Sequence, residues 1–205
     1  MQVMCIPVGE LDTNCYLVWD AQRQALILDP GDDVDVILQA VDREALTVQA
    51  VVLTHVHFDH MLAAEAVCRA CHAPLWAGAG DAAALADPKR NLSAYFQPSA
   101  PITLTADRLL HEGDVLAVGE ESLTVWETPG HTPGSLSLVG ENAVFSGDTL
   151  FAGSMGRIDF PGGDGRAMVR SLRRLAALPA ERTVYAGHGP STTIGQERAT
   201  NPYLR

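Results

Sequence analysis

The run Thr54-His55-Val56-His57-Phe58-Asp59-His60 sets three imidazoles and a carboxylate close together. Imidazole nitrogen and carboxylate oxygen suit a borderline-soft divalent cation, zinc first, with iron and manganese accepted by the same donors. The apolar stretch before it, Ala50-Val51-Val52-Leu53, reads as a buried strand, so the ligands fall where a strand ends. If the strand stays extended through His57, period-two alternation turns His55 and His57 to one face. The turn into the next helix then brings Asp59 and His60 round beside them. One cluster can thus serve two neighbouring metals. The plainer use of these residues is an exposed strand-to-helix loop with Asp59 as a helix N-cap; three histidines and an aspartate at this spacing weigh against it.

Three more residues share a local signature, a His or Asp beside glycine at the end of a predicted strand. They are His131 in Thr128-Pro129-Gly130-His131-Thr132-Pro133-Gly134, Asp148 in Phe145-Ser146-Gly147-Asp148-Thr149, and His188 in Ala186-Gly187-His188-Gly189. Glycine lets the backbone turn tightly and approach closely. The prolines flanking His131 stiffen its loop, which reduces the entropy lost in holding a ligand. A lone histidine of this kind is as often a loop residue with a local partner; three such residues added to the first cluster make a site.

The elements that position these residues follow from periodicity. Strands are expected at 2–6, 15–19, 25–28, 50–54, 75–76, near 109–110, 115–118, 123–127, 136–139, 143–145 and 183–186. Helices are expected at 33–42, after the metal motif with Asp59 as cap, and at 81–86, 165–178 and 194–199. Residues 87–101, with three prolines, read as a loop placed to cover the site. The helix at 165–178 turns Met168, Leu172, Leu175 and Leu178 to one face. Its arginines at 166, 170, 173 and 174 fall mostly on the other, a solvated face. Strands and helices recurring in both halves imply an α/β protein, two sheets packed face to face with helices outside, as one domain over 1–205.

Composition narrows the function classes. No apolar run nears the roughly eighteen residues a membrane span needs. A net charge of −11, with fourteen dispersed lysines and arginines, argues against nucleic acid as a partner. The N-terminal residues carry no basic region or long apolar core, and four cysteines at 5, 15, 68 and 71 form no disulfide framework; both observations point to the cytoplasm. Cys68-Arg69-Ala70-Cys71-His72 matches the pattern of haem attachment, yet it lies inside a predicted helix, where two buried thiols at a packed helix end are the simpler reading. His72 and His111 lack a glycine turn and stay outside the site. Asp29, in Asp29-Pro30-Gly31 at a strand end, is either a turn former or an acceptor for a ligating histidine.

Over essentially its full length the chain resembles metallo-β-lactamase-fold hydrolases, specifically the short relatives of glyoxalase II, the hydroxyacylglutathione hydrolases. The residues that carry the likeness are the H-x-H-x-D-H run at 55–60, His131, Gly147-Asp148, Gly187-His188-Gly189 and the tail Thr192-Thr193-Ile194-Gly195-Gln196-Glu197. The resemblance implies an αββα four-layer sandwich with a two-metal site on its edge. His55, His57 and His131 would hold one metal, Asp59, His60 and His188 the other, and Asp148 would bridge them. The chain ends soon after His188, whereas glyoxalase II proper continues into a helical domain that grips glutathione. The segment Gly156-Arg157-Ile158-Asp159-Phe160 also matches the related persulfide dioxygenases, which use one iron.

Two divalent ions against two carboxylates and a bridging hydroxide leave a net positive centre, which favours a developing oxyanion and acyl transfer to water. The expected activity is therefore hydrolysis of small thioesters such as S-lactoylglutathione, with Asp59 orienting the nucleophile. Arg157, and less directly Lys89 or Arg90, are the expected contacts for a carrier carboxylate. The first alternative is a mononuclear-iron persulfide dioxygenase, with His55, His131 and Asp148 on the iron. A nuclease is disfavoured by the acidic charge, a non-catalytic binding module by the intact ligand set. Oligomeric state is left open.

Overall fold

The protein is described by a computed structural model over residues 1–97 and 99–204. Pro98, in the expected loop at 87–101, lies outside the described residues, as does Arg205.

Six strands, β1 (Gln2–Val8), β2 (Thr13–Trp19), β3 (Gln24–Leu28), β4 (Thr47–Leu53), β5 (Leu75–Gly78) and β6 (Arg108–Leu110), form one sheet in chain order. The first three are antiparallel and the rest parallel to β3. The second sheet takes β7 (Val115–Val118), β8 (Glu121–Glu127), β9 (Leu136–Val139) and β10 (Ala143–Gly147), passes over the ribbon β11 (Leu150–Phe151) and β12 (Ser154–Met155), and adds β13 (Thr183–Ala186) and β14 (Thr192–Thr193). Its order is β14-β13-β10-β9-β8-β7, with β10 and β13 parallel.

Alternation along the strands explains the layers. In β2, β3 and β4, Tyr16, Val18, Leu26, Leu28, Ala50 and Val52 face the second sheet and meet Leu116, Leu123, Val125, Leu138 and Phe145. The residues between them, Leu17, Ile27, Val51 and Leu53, point the other way onto Ile37 and Val41 of helix α1 (Val34–Arg43) and Val67 of α2 (Ala64–Cys71). The outer face of the second sheet, through Val144 and Val184, packs on Met168, Leu172 and Leu175 of the long amphipathic helix that follows β12. Both sheets are thus apolar on two faces, which produces a helix–sheet–sheet–helix sandwich.

Two short helices, α3 (Ala82–Leu85) and α4 (Ser93–Phe96), lie between β5 and β6. The long helix is α5 (Gly165–Ala176), capped by Asp164, whose carboxylate accepts from the backbone N–H groups of Arg166 and Ala167; α6 (Ile194–Thr200) is followed by a 3₁₀ turn at Pro202–Leu204. Most expected elements form. The expected cap role of Asp59 does not: the chain makes a 3₁₀ turn at Phe58–His60, and α2 starts only after Ala63, with no side-chain cap. Cys68 and Cys71 are half-buried rather than buried, packed against the first core, and neither is in a disulfide. Among the described residues no helix is long and apolar enough to cross a membrane.

Candidate metal centre

The parallel strands β3, β4, β10 and β13 all end at one edge of the sandwich, and the chain that follows each end carries a site residue. After β4 come His55, His57, Asp59 and His60; after β10, Asp148; after β13, His188; the β8–β9 loop adds His131. All seven expected ligands converge. Three groups have their donor atoms within 4.8 Å of one another: His55, His57 and His131; His55, His60 and Asp148; and Asp59, His60 and His188. His57 Nδ1 lies 2.8 Å from His131 Nε2, and His60 Nε2 lies 3.4 Å from His188 Nε2. Asp148 faces both sides, with Oδ1 at 3.4 Å from His60 and Oδ2 at 3.5 Å from His131 and 3.7 Å from His188.

Local backbone chemistry makes this convergence possible. Gly147 has φ of 48°, a conformation that favours glycine, and turns the chain so that Asp148 points back into the cluster. A Cβ on Gly187 would overlap the Asp148 carboxylate, so the His188 turn reaches the site only without a side chain there.

The ring nitrogen that faces away from the cluster is held by a partner in His60, His131 and His188. His60 Nδ1 is 3.0 Å from Asp29 Oδ2, which also accepts from the Thr54 hydroxyl at 2.7 Å, while Asp29 Oδ1 takes the Thr54 backbone N–H at 2.7 Å. His131 Nδ1 donates to the Arg157 carbonyl at 2.7 Å and His188 Nδ1 to the Leu11 carbonyl at 3.1 Å. Thr13 donates at 3.1 Å to Asp59 Oδ2, the oxygen that faces the cluster and lies 3.3 Å from His188 Nε2. Such partners fix tautomer and ring orientation. Asp29 is therefore the acceptor for a site histidine.

Three atoms of the cluster, His55 Nε2, His57 Nε2 and Asp148 Oδ1, are buried without a hydrogen-bond partner, among only a few such atoms in the described residues. Buried polar atoms are almost always paired, so a cluster of unpaired ones calls for a bound cation. Burial drives His55 well down, with the neighbouring imidazoles adding to it, and brings His57 to about 3. Burial also opposes ionisation of Asp59 and Asp148, but His60 and its neighbours outweigh it and hold both carboxyls low. At His60 and His188 burial likewise loses to the carboxylates, which pull both upward. Neutral imidazoles, ionised carboxylates and protons that a cation can displace make up a donor set that fits two divalent metals.

Several supporting residues gave no sequence signal. Asp81, fully buried, accepts from the Thr132 hydroxyl at 2.7 Å and the Gly134 N–H at 2.8 Å and so clamps the His131 loop. Asn14 donates to the carbonyls of Ala186 and Gly189 and clamps the His188 turn. Over the centre lies a cleft of about 440 Å³ whose walls include Phe58, Leu92, Phe96, Phe151, Met155 and Phe160. Leu92 and Phe96 come from the segment 87–101, which thus forms one wall, as expected; Lys89 and Arg90 do not line the cleft. Arg157 does line it, but its guanidinium is already paired with Asp159 through two hydrogen bonds of 2.7 Å. His72 and His111 lie outside the cluster.

Fold and site together define a class, and comparison places the chain in it: residues 8–188 match the metallo-beta-lactamase superfamily, and the protein belongs to that superfamily. It is 32% identical to a hydroxyacylglutathione hydrolase, GloC, of Haemophilus influenzae across all of this chain and 98% of that one. It is 36% identical to a probable metallo-hydrolase, YqgX, of Bacillus subtilis, covering 97% and 95% of the two chains. Among solved structures, the BLEG-1 B3 metallo-beta-lactamase superposes with a TM-score of 0.93 at 39% identity over 99% of both chains. TTHA1623 in a di-iron-bound form gives 0.88 at 37% identity over 98% and 100%. ETHE1 from Myxococcus xanthus gives 0.81 at 33% identity over 98% of this chain and 84% of that one.

Proposed function

We propose that this protein is a metal-dependent hydrolase of small thioesters, a short glyoxalase II-like member of the superfamily. The observation that carries the reading is a two-metal donor set at the floor of an apolar cleft. The likeness to the Haemophilus hydroxyacylglutathione hydrolase supports it. His55, His57 and His131 would hold one cation and Asp59, His60 and His188 the other, with Asp148 as the ligand the two would share. Zinc is the first metal to test, and the di-iron form of TTHA1623 puts iron beside it.

When bound, two divalent cations lower the pKa of water to about 7 and polarise a carbonyl oxygen. The chain's own groups do the rest. Asp59 Oδ2, fixed by the Thr13 hydroxyl, is placed to orient the attacking water and accept its hydrogen bond. The aromatic walls exclude bulk water around the scissile carbonyl, which strengthens every charge interaction in the site. Water oxygen bonds to the acyl carbon, the carbon–sulfur bond breaks, and a carboxylate, a thiol and one proton leave.

The test is metal analysis of the purified protein together with a panel of small thioesters. Turnover that is abolished by chelation and restored by added zinc, iron or manganese is expected. The likeness to ETHE1 makes persulfide dioxygenase chemistry the second reading. Oxygen uptake with glutathione persulfide, with no thioester turnover, would replace the first reading by it.

A further inference from the structure

The ribbon β11–β12 is tied to the metal centre at both of its ends. Before it stands Asp148, whose carboxylate faces both sides of the cluster; after it come Gly156 and Arg157, whose carbonyl accepts from His131 Nδ1 at 2.7 Å. The two ends touch, because a Cβ on Gly156 would overlap the Asp148 carbonyl oxygen and only glycine fits there. The carboxylate of Asp148 and the ring of His131 thus both depend on where one loop, 148–157, is held.

The far end of that loop is held from the C-terminal helix. At the ribbon's turn the Gly153 N–H donates to Glu197 Oε2 at 2.8 Å. The Asn201 amide donates to the Ser154 carbonyl at 2.9 Å and, with a longer reach, to the Phe151 carbonyl at 3.4 Å. The two side chains are also joined to each other, Asn201 Nδ2 lying 2.8 Å from Glu197 Oε2, and the Thr192 hydroxyl donates to Glu197 Oε1 at 2.7 Å. Glu197 is 1% exposed and Asn201 fully buried. Apolar residues would dock a tail without the desolvation cost of a buried carboxyl and amide. A network with its donors and acceptors aimed at named backbone atoms does something else: it fixes one register of the ribbon against α6.

We propose that Glu197 and Asn201 are positioning residues for the metal centre: from the C-terminal helix they set the ribbon, and through its two ends they set Asp148 and the His131 ring. Phe151 and Met155, carried on the same ribbon, are set with them as part of the cleft wall. The inference rests on the metal reading of the centre and not on thioester chemistry.

The experiment measures zinc affinity of the metal-stripped full chain by competition with a chromophoric chelator, well below the melting temperature, so that metal binding is read apart from stability and from turnover. Glu197→Ala and Asn201→Asp are expected to bind zinc about three- to tenfold more weakly. Direct partners of ligands are worth about 10–100-fold, and these two act through the ribbon. Asn201→Asp keeps the side chain's size and the oxygen that accepts from the Tyr203 N–H, and removes only the donor. Glu197→Gln retains an oxygen for Gly153 and Asn201 and turns its amide to the Thr192 hydroxyl, so its affinity is expected within about twofold of the wild type. Val41→Ala, in the core between α1 and the first sheet, serves as the control: it lowers the melting temperature and leaves zinc affinity in place. Wild-type affinity in either Glu197→Ala or Asn201→Asp, a loss in Glu197→Gln as large as in Glu197→Ala, or an equal loss in Val41→Ala would each overturn the proposal and leave the metal centre standing. A wild type that takes up no zinc sinks the metal centre and the proposal together.

Discussion

Asp148 and His188 both present ligand atoms to the cluster, but they differ in reach. Asp148 approaches His60, His131 and His188, whereas His188 approaches Asp59, Asp148 and His60 on one side. Asp148→Asn is therefore expected to lower kcat/KM by at least about a hundredfold, roughly 2.7 kcal/mol of transition-state stabilisation, and to deplete both metals. His188→Ala should keep one of them, as metal analysis of the two purified variants would show. Asp29→Ala leaves the His60 ring and the Thr54 N–H without their acceptor, and metal affinity is expected to fall by about 10–100-fold in a competition titration with a chelator. The ligands were legible because spacing and glycine are local signals. Asp81, Asn14 and Thr13 were not: their partners lie between 46 and 175 residues away, and nothing beside them in the chain announces the pairing.

At the scale of elements, β2, β3 and β4 were readable as apolar runs bounded by turns, because each strand is buried on both faces. The ribbon β11–β12 and strand β14, two residues each, are too short to carry a period. The start of α2 was misplaced because His57, Phe58 and Asp59 have good helix-entry chemistry; the 3₁₀ turn replaces that entry and brings Asp59 and His60 to the metals. Asp81, just before α3, shows how an element serves the site from outside it. Burial pushes its carboxyl up, against hydrogen bonds from Thr132, Gly134 and the Val56 backbone that hold it down. Asp81→Ala leaves buried donors on the His131 loop unpaired and is expected to destabilise the fold by about 2–4 kcal/mol in urea unfolding, with a loss of metal affinity on the His131 side. Cys68 and Cys71 sit at the end of α2, away from the metals; serine at both positions is expected to leave kcat within about twofold, and the purified protein should show no haem Soret band.

For the whole molecule, the two-metal site is a cross-link. His55, His57, Asp59 and His60 follow a strand of the first sheet, while His131, Asp148 and His188 follow strands of the second, so bound cations tie the open edges of both sheets together. Without them the protein buries His55 Nε2, His57 Nε2 and Asp148 Oδ1 with no hydrogen-bond partner. A ligand that binds only the folded chain stabilises it by mass action, by about 4 kcal/mol when free metal stands a thousandfold above its Kd. For a chain of this length each kcal/mol moves Tm by roughly 2–4 °C. Chelation is therefore expected to lower Tm by about 8–16 °C in scanning calorimetry, and readdition of zinc, iron or manganese to restore it. The gap should narrow as pH falls. His60 and His188 have their pKa values raised by Asp59 and Asp148, so in the metal-free protein they hold protons that a cation must displace. Metal affinity then rises with pH and weakens on acidification, as protons compete for the same nitrogens. The same titration of Asp148→Asn should show a much smaller metal-dependent shift at every pH. A full-sized shift in that variant would mean that the cations are held elsewhere.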